Sequence, residues 1–216
     1  MEKLHAVLKN CRQPVMITLI LMLLCGLIFP LIITGLAEVV FPHQAGGSLI
    51  EVNGEAVGSE HVGQAFTRDC FMKGRPSAVQ YNTWSEDSKG NKTLPDGTEF
   101  TAPASGSDNY APSNPALEER VKEDMDAFLK EHPDVKAEDI PTDLLTASGS
   151  GLDPDISPES ARVQIPALAE ASGLSEAELN EIVDENTKGK LLGIFGEETV
   201  NVLKVNLDIA EKMGLI

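Results

Sequence analysis

Basic residues are scarce in this sequence. Its 216 residues include 17 lysines and arginines against 34 aspartates and glutamates, which gives a formal net charge of −17 and a pI near 4.5. A nucleic-acid-binding protein needs a basic surface to neutralise phosphates, so the composition excludes that class. An acidic surface of this kind indicates solubility or a salty habitat.

Familiar catalytic and cofactor motifs are also lacking. The sequence has no P-loop and no G-x-G-x-x-G, H-E-x-x-H, C-x-x-C or G-x-S-x-G element. Its four histidines are scattered and give no zinc-ligand spacing: His5, His43, His61 and His132. We therefore predict no catalytic residue and no metal site, and the sequence assigns no residue to a cofactor.

Long apolar runs are limited to one. Residues 15–37 contain no charged side chain in 23 positions. As a helix this run would be roughly 34 Å long, enough to cross a hydrocarbon core of about 30 Å. A cleaved signal is the alternative, but its apolar region is shorter, no A-x-A site follows, and bulky Leu24 precedes the lipoprotein-like Cys25. We predict a retained transmembrane helix over residues 14–41.

Positive charge lies on one side of this helix. Lys3, Lys9 and Arg12 precede it, and the next basic residue is Arg68. Because cytoplasmic flanks carry the excess of lysine and arginine, the pattern predicts a cytoplasmic N-terminus. The predicted location is therefore the cell (inner) membrane, with a single pass and an extracytoplasmic C-terminal part.

This topology divides the chain into a cytoplasmic segment, residues 1–13, and an extracytoplasmic domain, residues 42–216. Counted together with Glu38, which lies just before residue 42, the exported part has 14 basic and 33 acidic residues, a balance of −19. The three cysteines fall in three different compartments, so no intrachain disulfide is expected: Cys11, Cys25 and Cys70.

The predicted span is suited to packing rather than conduction. One helix cannot enclose a pore, and this one has no ionisable side chain to relay ions or protons. Pro30 removes a backbone donor and predicts a kink, while Gly26, Thr34 and Gly35 are small enough to admit a neighbouring helix. A plain anchor with incidental small residues is the alternative.

Beyond the span, the pattern predicts one mixed α/β domain. SLIEV alternates and leads to Asn53-Gly54, a hairpin signal, and residues 83–113 are poor in apolar side chains and predict a long mobile loop. Thr199 to Ile209 alternates and is β-branched, which favours a strand, with a helix left open.

Three helices are predicted between these elements. The first has Asn114 as its cap and ends at Pro133. The second has Ser157 as its cap, a bend at Pro166 and an end near Gly173; the third has a Ser175–Glu178 capping box, a Leu174–Leu179 hydrophobic staple and an end at Gly189.

Residues 151–164, GLDPDISPESARVQ, are unusual among the predicted loops. Asp153 and Asp155 resemble the start of a calcium loop, but Pro158 occupies the position where an EF-hand needs glycine. A different cation site stays open as an alternative. The two prolines, Pro154 and Pro158, fix backbone angles and Asp155 lies near the positive end of the helix that Ser157 caps, so we predict a rigid docking turn.

Residues 146–164, TASGSGLDPDISPESARVQ, resemble the signature of the KdpC family, the small subunit of bacterial and archaeal Kdp potassium-transporting ATPases. Similar pieces follow the family's order elsewhere: VGSEHVGQAF at 57–66, GRPSAVQYN at 74–82, SNPALEER at 113–120 and LLGIFGEETVNVLKVNL at 191–207. The rigid turn and these motifs together predict the docking residues for partner subunits: Arg75, Pro76, Ser77, Asp153, Pro154, Asp155, Ser157, Pro158 and Gln164.

The resemblance implies a non-catalytic subunit needed for assembly and activity of a channel-like potassium subunit and a P-type ATPase subunit, with a further small membrane subunit left open. The family is described as a catalytic chaperone that raises the ATP affinity of the pump subunit. ATP and potassium would then be ligands of the complex as a whole. The family itself is also described as ATP-binding.

Two alternatives differ in class from this accessory subunit. One is a membrane-anchored extracytoplasmic hydrolase, which catalysis by the isolated domain would favour. The other is a cytoplasmic nucleotide-binding regulator, which requires inverted topology. If the domain does lie outside the cell, its acidity should also enrich cations near an ion entrance.

Overall fold

A computed structural model of the chain describes the backbone of residues 2–216 and the side chains from Cys11 onward. The side chains of Lys3 and Lys9, on which part of the orientation prediction rests, lie outside the described residues. The chain forms two compact units, residues 1–49 and residues 50–216.

The first unit is almost entirely helical. It comprises α1 (Glu2–Leu23), a π-helical turn (Leu24–Ile28), α2 (Phe29–Val40) and the short α3 (Pro42–Ala45). Cys11–Val40 is long and apolar enough to cross a membrane, and its apolar surface is not buried. The single apolar helix predicted at the N-terminus is confirmed, and its 30 residues give roughly 45 Å of helix.

The helix is irregular where Pro30 predicts a disturbance. The turn before this proline is π-helical, and the Phe29 backbone N–H donates to the Leu24 carbonyl, five residues back. A widened turn leaves room for a proline ring that would clash with the preceding turn of an α-helix.

The predicted Asn53-Gly54 hairpin is present. Strands β1 (Leu49–Val52) and β2 (Glu55–Ser59) form a two-stranded sheet. Asn53 and Gly54 have φ values of 54° and 84°, as a type I′ turn requires.

The segment predicted as a long loop contains a second hairpin. Strands β3 (Ser85–Glu86) and β4 (Lys92–Thr93) pair antiparallel. Trp84 stacks on Phe100 at 6.0 Å, and the Lys92 ammonium lies 3.8 Å from the centre of the Trp84 ring. The rest of residues 83–113 has no helix, and their mobility stays a prediction.

The first predicted helix is confirmed as α4 (Pro115–Glu131), with the Asn114 side chain accepting from the Ala116 N–H. The second is confirmed at its start, where Ser157 caps, but it is divided into α5 (Pro158–Arg162) and α6 (Ile165–Ser172). Pro166 lies in the first turn of α6, so it begins a new helix instead of bending one.

The third predicted helix is α7 (Glu176–Glu185), and its Ser175–Glu178 capping box is complete. Its predicted end at Gly189 was wrong, because Thr187–Lys188 leave the helix to form strand β6. Strands β5 (Asp155–Ile156), β6 and β7 (Thr199–Asn201) make an antiparallel sheet in the order β5-β7-β6.

The strand predicted over Thr199 to Ile209 was mostly wrong. The chain is extended only to Asn201, whose side chain caps α8 (Val202–Lys212) by accepting from the Lys204 N–H. Val202, Val205 and Ile209 are all buried. Their spacing of three and four residues suits a helix face, so packing on the core outweighs β-branched propensity.

The core of the second unit lies where α5, α6, α7 and α8 meet the three-stranded sheet. Met72, Val183, Val200, Val205 and Ile209 have no exposed surface. This core supports strand β5 and the start of α5, and so it fixes the 151–164 segment.

Candidate docking surface

The 151–164 segment borders a polar groove of about 410 Å³. Most of its lining comes from three pieces of chain that are distant in sequence: residues 142–146, residues 153–157 and residues 197–199. Arg75 completes it. The groove therefore contains four of the residues predicted to dock a partner, namely Arg75, Asp153, Asp155 and Ser157.

Arg75 joins two of these pieces. Its Nη1 donates to the Asp153 carboxylate at 2.9 Å, and its Nε and Nη2 donate to the Thr146 carbonyl at 3.4 and 3.2 Å. The Arg75 and Asp153 side chains are 24% and 27% exposed, so the ion pair is partly shielded from water. A guanidinium can hold both acceptors at once because its donors form a rigid planar fork.

A few residues after Arg75, at residues 80–82, the chain forms a left-handed turn that was not predicted from the sequence. Gln80, Tyr81 and Asn82 have φ values of 49°, 52° and 53°. The Ser77 hydroxyl donates to the Gly151 carbonyl at 2.6 Å and accepts from the Tyr81 N–H at 2.9 Å. These bonds hold the turn against the 151–164 segment, which offsets the cost of left-handed backbone.

The Tyr81 side chain lies close to the Arg75–Asp153 ion pair. Its hydroxyl donates to the Arg75 carbonyl at 2.6 Å. Burial, with a smaller contribution from the Asp153 charge, raises the pKa of Tyr81 to about 12. The phenol therefore stays neutral and serves as a hydrogen-bond donor throughout the physiological range.

Asp143 binds the start of α5. Its carboxylate accepts from the Ser157 N–H at 2.8 Å, the Ser157 hydroxyl at 3.1 Å and the Ser160 hydroxyl at 2.5 Å. Burial by itself would raise the pKa of Asp143, but these hydrogen bonds outweigh it and lower the pKa below its usual value. Asp143 is thus the carboxylate hydrogen-bonded to the helix start, where the sequence had suggested Asp155.

The Asp155 side chain bonds to a residue of the neighbouring strand β7. Its carboxylate accepts from the Asn201 side chain at 3.0 Å, and Asn201 also donates to the Glu60 carbonyl at 3.0 Å. Burial, opposed by the Asn201 hydrogen bond and assisted by the Asp153 charge, raises the pKa of Asp155. A partner that brought a positive charge to this carboxylate would relieve that penalty.

The groove as a whole is electronegative. Five carboxylates line it against one guanidinium: Asp143, Asp153, Asp155, Glu197 and Glu198. Two of them, Glu197 and Glu198, are exposed. Such a surface can bind a basic side chain or a group rich in N–H donors.

Two of the residues predicted to dock lie beneath the surface. Gln164 is 1% exposed; it donates to the Lys73 and Ser160 carbonyls at 3.1 and 3.0 Å and accepts from the Lys73 N–H at 2.8 Å. Pro158 is also buried. The docking prediction therefore narrows to the remaining residues, of which Pro76, Ser77 and Pro154 are half-buried.

The small residues of the span are accessible. A methyl group added to Gly26 or Gly35 would meet no atom within 4 Å outside the local helix backbone. Pro30 and Thr34 are also exposed. Helix packing at these four positions stays a prediction.

Three features of the second unit were missed by sequence reasoning. Asp143 and Asn201 gave no pattern, because their partners are far away in the chain. The third is an exposed apolar turn that follows β6, containing Leu191, Leu192, Ile194 and Phe195. Its signal was visible as the run LLGIF in an acidic domain.

Comparisons with known proteins agree on one family. Residues 11–211 match the family model KdpC, described as K+-transporting ATPase, c chain. The chain is 59% identical to the potassium-transporting ATPase KdpC subunit of Clostridium kluyveri over 96% of both chains. It is 52% identical to that of Clostridioides difficile over 97% of this chain and 100% of the relative, and 41% identical to one from Bacillus cereus over 99% and 100%. The chain belongs to the KdpC family.

Proposed function

We propose that this chain is the non-catalytic accessory subunit of an ATP-driven, high-affinity potassium uptake complex, where it supports assembly and activity. The observation that carries the proposal is similarity over nearly the whole chain to relatives named as subunits of a potassium-transporting ATPase. The hydrogen-bonded surface around Arg75 and Asp153 supports it, since a preformed surface loses little entropy when it binds a partner. The similarity lends no support to the hydrolase alternative.

The partners we propose are a channel-like potassium-translocating subunit and a P-type ATPase subunit, with a further small membrane subunit. The exposed Gly26, Pro30, Thr34 and Gly35 would face a neighbouring helix within the bilayer, while the groove would face the outer surface of a transport subunit. Arg75, Pro76, Ser77, Asp153, Pro154, Asp155 and Ser157 are the docking residues of this proposal.

We place the chain in the cell membrane with a cytoplasmic N-terminus and an extracytoplasmic second unit. The basic residues before the span support this orientation. ATP would then be bound by the pump subunit and potassium by the channel-like subunit, with neither bound directly by this chain.

Cysteine labelling tests the orientation. Cys70 is only 6% exposed and is unsuitable, so an exposed Ser88→Cys variant provides the outer thiol, and exposed Cys11 provides an internal control. A membrane-impermeant maleimide should modify Ser88→Cys in intact cells and Cys11 only after lysis. The reverse pattern would indicate the inverted topology of a cytoplasmic regulator.

Assembly and activity are tested by expressing the complex with and without this chain. Omitting it should reduce recovery of intact complex, lower potassium-stimulated ATPase activity and raise the KM for ATP. Gly26→Leu should reduce recovery, because the larger side chain separates packed helices, whereas Leu27→Phe adds bulk beside the predicted stripe and should not. Unchanged activity and KM without the chain would contradict the proposal.

A further inference from the structure

The most exposed apolar feature of the second unit is a tight turn between β6 and β7. Leu191, Leu192, Ile194 and Phe195 are 70%, 81%, 76% and 62% exposed. We call these four residues the apolar tip. Single exposed apolar residues need no explanation, but four large ones on one turn indicate a contact surface.

Two backbone hydrogen bonds close the apolar tip into a turn. The backbone N–H of Leu191 donates to the Phe195 carbonyl at 2.8 Å, and the Phe195 N–H donates back at 3.0 Å. Leu192, the most exposed of the four, has a φ of 54°, which is uncommon outside glycine. A fixed turn that presents apolar side chains to water costs little entropy to insert into a matching pocket.

The tip and the polar groove are neighbours along the chain. Gly196 alone separates the tip from Glu197 and Glu198, which line the groove together with Asp153 and Asp155. Together they combine an apolar projection with an acidic border. This closeness in sequence connects the tip to the docking surface of the proposed function.

The charge beside the tip determines the kind of partner. Lys188 and Lys190 precede the tip, but the two glutamates follow it and the groove adds further carboxylates. Carboxylates are unfavourable at a bilayer surface, where anionic lipids repel them and headgroup burial desolvates them. A second copy of the chain would bring together two strongly acidic surfaces, which also repel.

We propose that the apolar tip inserts into an apolar pocket on another subunit of the transport complex, and that basic or N–H-rich groups border this pocket and meet Glu197 and Glu198. This inference rests on the proposed function and deepens it. The tip would supply the affinity through burial of Leu192 and Ile194, and the acidic groove would set the orientation.

Dissociation of the purified complex tests the contribution of the tip. The complex is immobilised through a tag on the pump subunit, and loss of this chain during washing is timed. Leu192→Ser should dissociate about tenfold faster or more, because burial of one leucine side chain contributes on that order. Leu215→Ser is the matched control: Leu215 is 45% exposed, lies outside the tip and should leave the rate unchanged.

Photocrosslinking identifies what the tip contacts. Leu192→benzoylphenylalanine in the full complex should give a covalent adduct with another subunit, and Leu215→benzoylphenylalanine should not. Adducts only with lipid or with a second copy, absence of an adduct, or a wild-type dissociation rate for Leu192→Ser would each overturn the inference. Failure of the wild-type chain to co-purify would instead refute the proposed function, so the two failures are distinguishable.

Discussion

Gly63 packs directly against the backbone of Asp153. Its N–H donates to the Leu152 carbonyl at 2.8 Å, and a Cβ built on Gly63 would lie 2.3 Å from the Asp153 carbonyl oxygen and 2.7 Å from the Tyr81 ring. Backbone approaches this close require glycine. The 57–66 segment is thus packed against the 151–164 segment through Gly63.

Gly63→Ala should lower the free energy of unfolding by about 1–3 kcal/mol, since the methyl group meets fixed backbone and forces it apart. Urea unfolding of the full chain in detergent measures the change. Gly149→Ala is the control, because a methyl group there meets nothing within 4 Å. Equal stability of the two variants would contradict the close contact.

Arg75→Lys should also destabilise the chain, by about 1–2 kcal/mol, although the charge is kept. A lysine ammonium cannot hold Asp153 and the Thr146 carbonyl together as the guanidinium fork does. Arg162→Lys is the matched control: its pair with Asp184 is 50% and 65% exposed, so we expect a change near zero. The same urea titration compares them, and similar losses would argue against a special role for Arg75.

Local features of this fold could be predicted from sequence, and long-range ones could not. The caps at Asn114, Ser157 and Ser175 and the Asn53-Gly54 turn depend on side chains within three residues of the backbone they bind. The Arg75–Asp153 pair joins residues 78 positions apart, and its geometry depends on packing that no local pattern encodes.

The errors have the same origin. Thr199 to Ile209 has strand-like composition, but the buried face of α8 is determined by the core it meets. Gln164, the last residue of the family-like 146–164 motif, is predicted to dock a partner, yet it is buried and bonds Lys73, which lies 91 positions away. Hairpin β3–β4 was missed because its turn is ordered by backbone N–H groups that donate to the Asp87 carboxylate, rather than by an apolar pattern.

The Asp143 carboxylate should make stability depend on pH. Its pKa is lower in the folded state than the ordinary 3.8, so its ionised form stabilises the fold fully above that value and the stabilisation is lost as pH falls through the folded pKa. Asp143→Ala should cost about 1–3 kcal/mol at pH 7, because the Ser157 N–H and two hydroxyls lose their acceptor.

Urea unfolding of Asp143→Ala at several pH values is the measurement. The difference from the wild-type chain should narrow below pH 4, where both unfolded and folded carboxyl groups take up protons. Asp134→Ala, at an exposed position, should show no such pattern. A difference that stays constant down to pH 2 would mean that the charge of Asp143 is not responsible.

Neutralising Glu197 and Glu198 distinguishes cation attraction by the acidic surface from docking of a partner subunit. Both are exposed, and neither takes part in the Arg75 or Asp143 hydrogen bonds, so neutralising them leaves the groove intact, unlike neutralising Asp153. A unit charge about 8 Å from an ion path in water contributes about 0.5 kcal/mol, which is roughly a twofold effect. If the acidic surface enriches potassium, the Glu197→Gln/Glu198→Gln double variant should raise the apparent KM for potassium uptake several-fold at low ionic strength. The effect should disappear near 1 M inert salt, where the screening length is about 3 Å.

Glu118→Gln/Glu119→Gln on α4 is the matched control for net charge, and an equal effect there would assign the change to overall charge. A KM unchanged by salt, together with reduced recovery of the complex, would assign the two glutamates to docking alone.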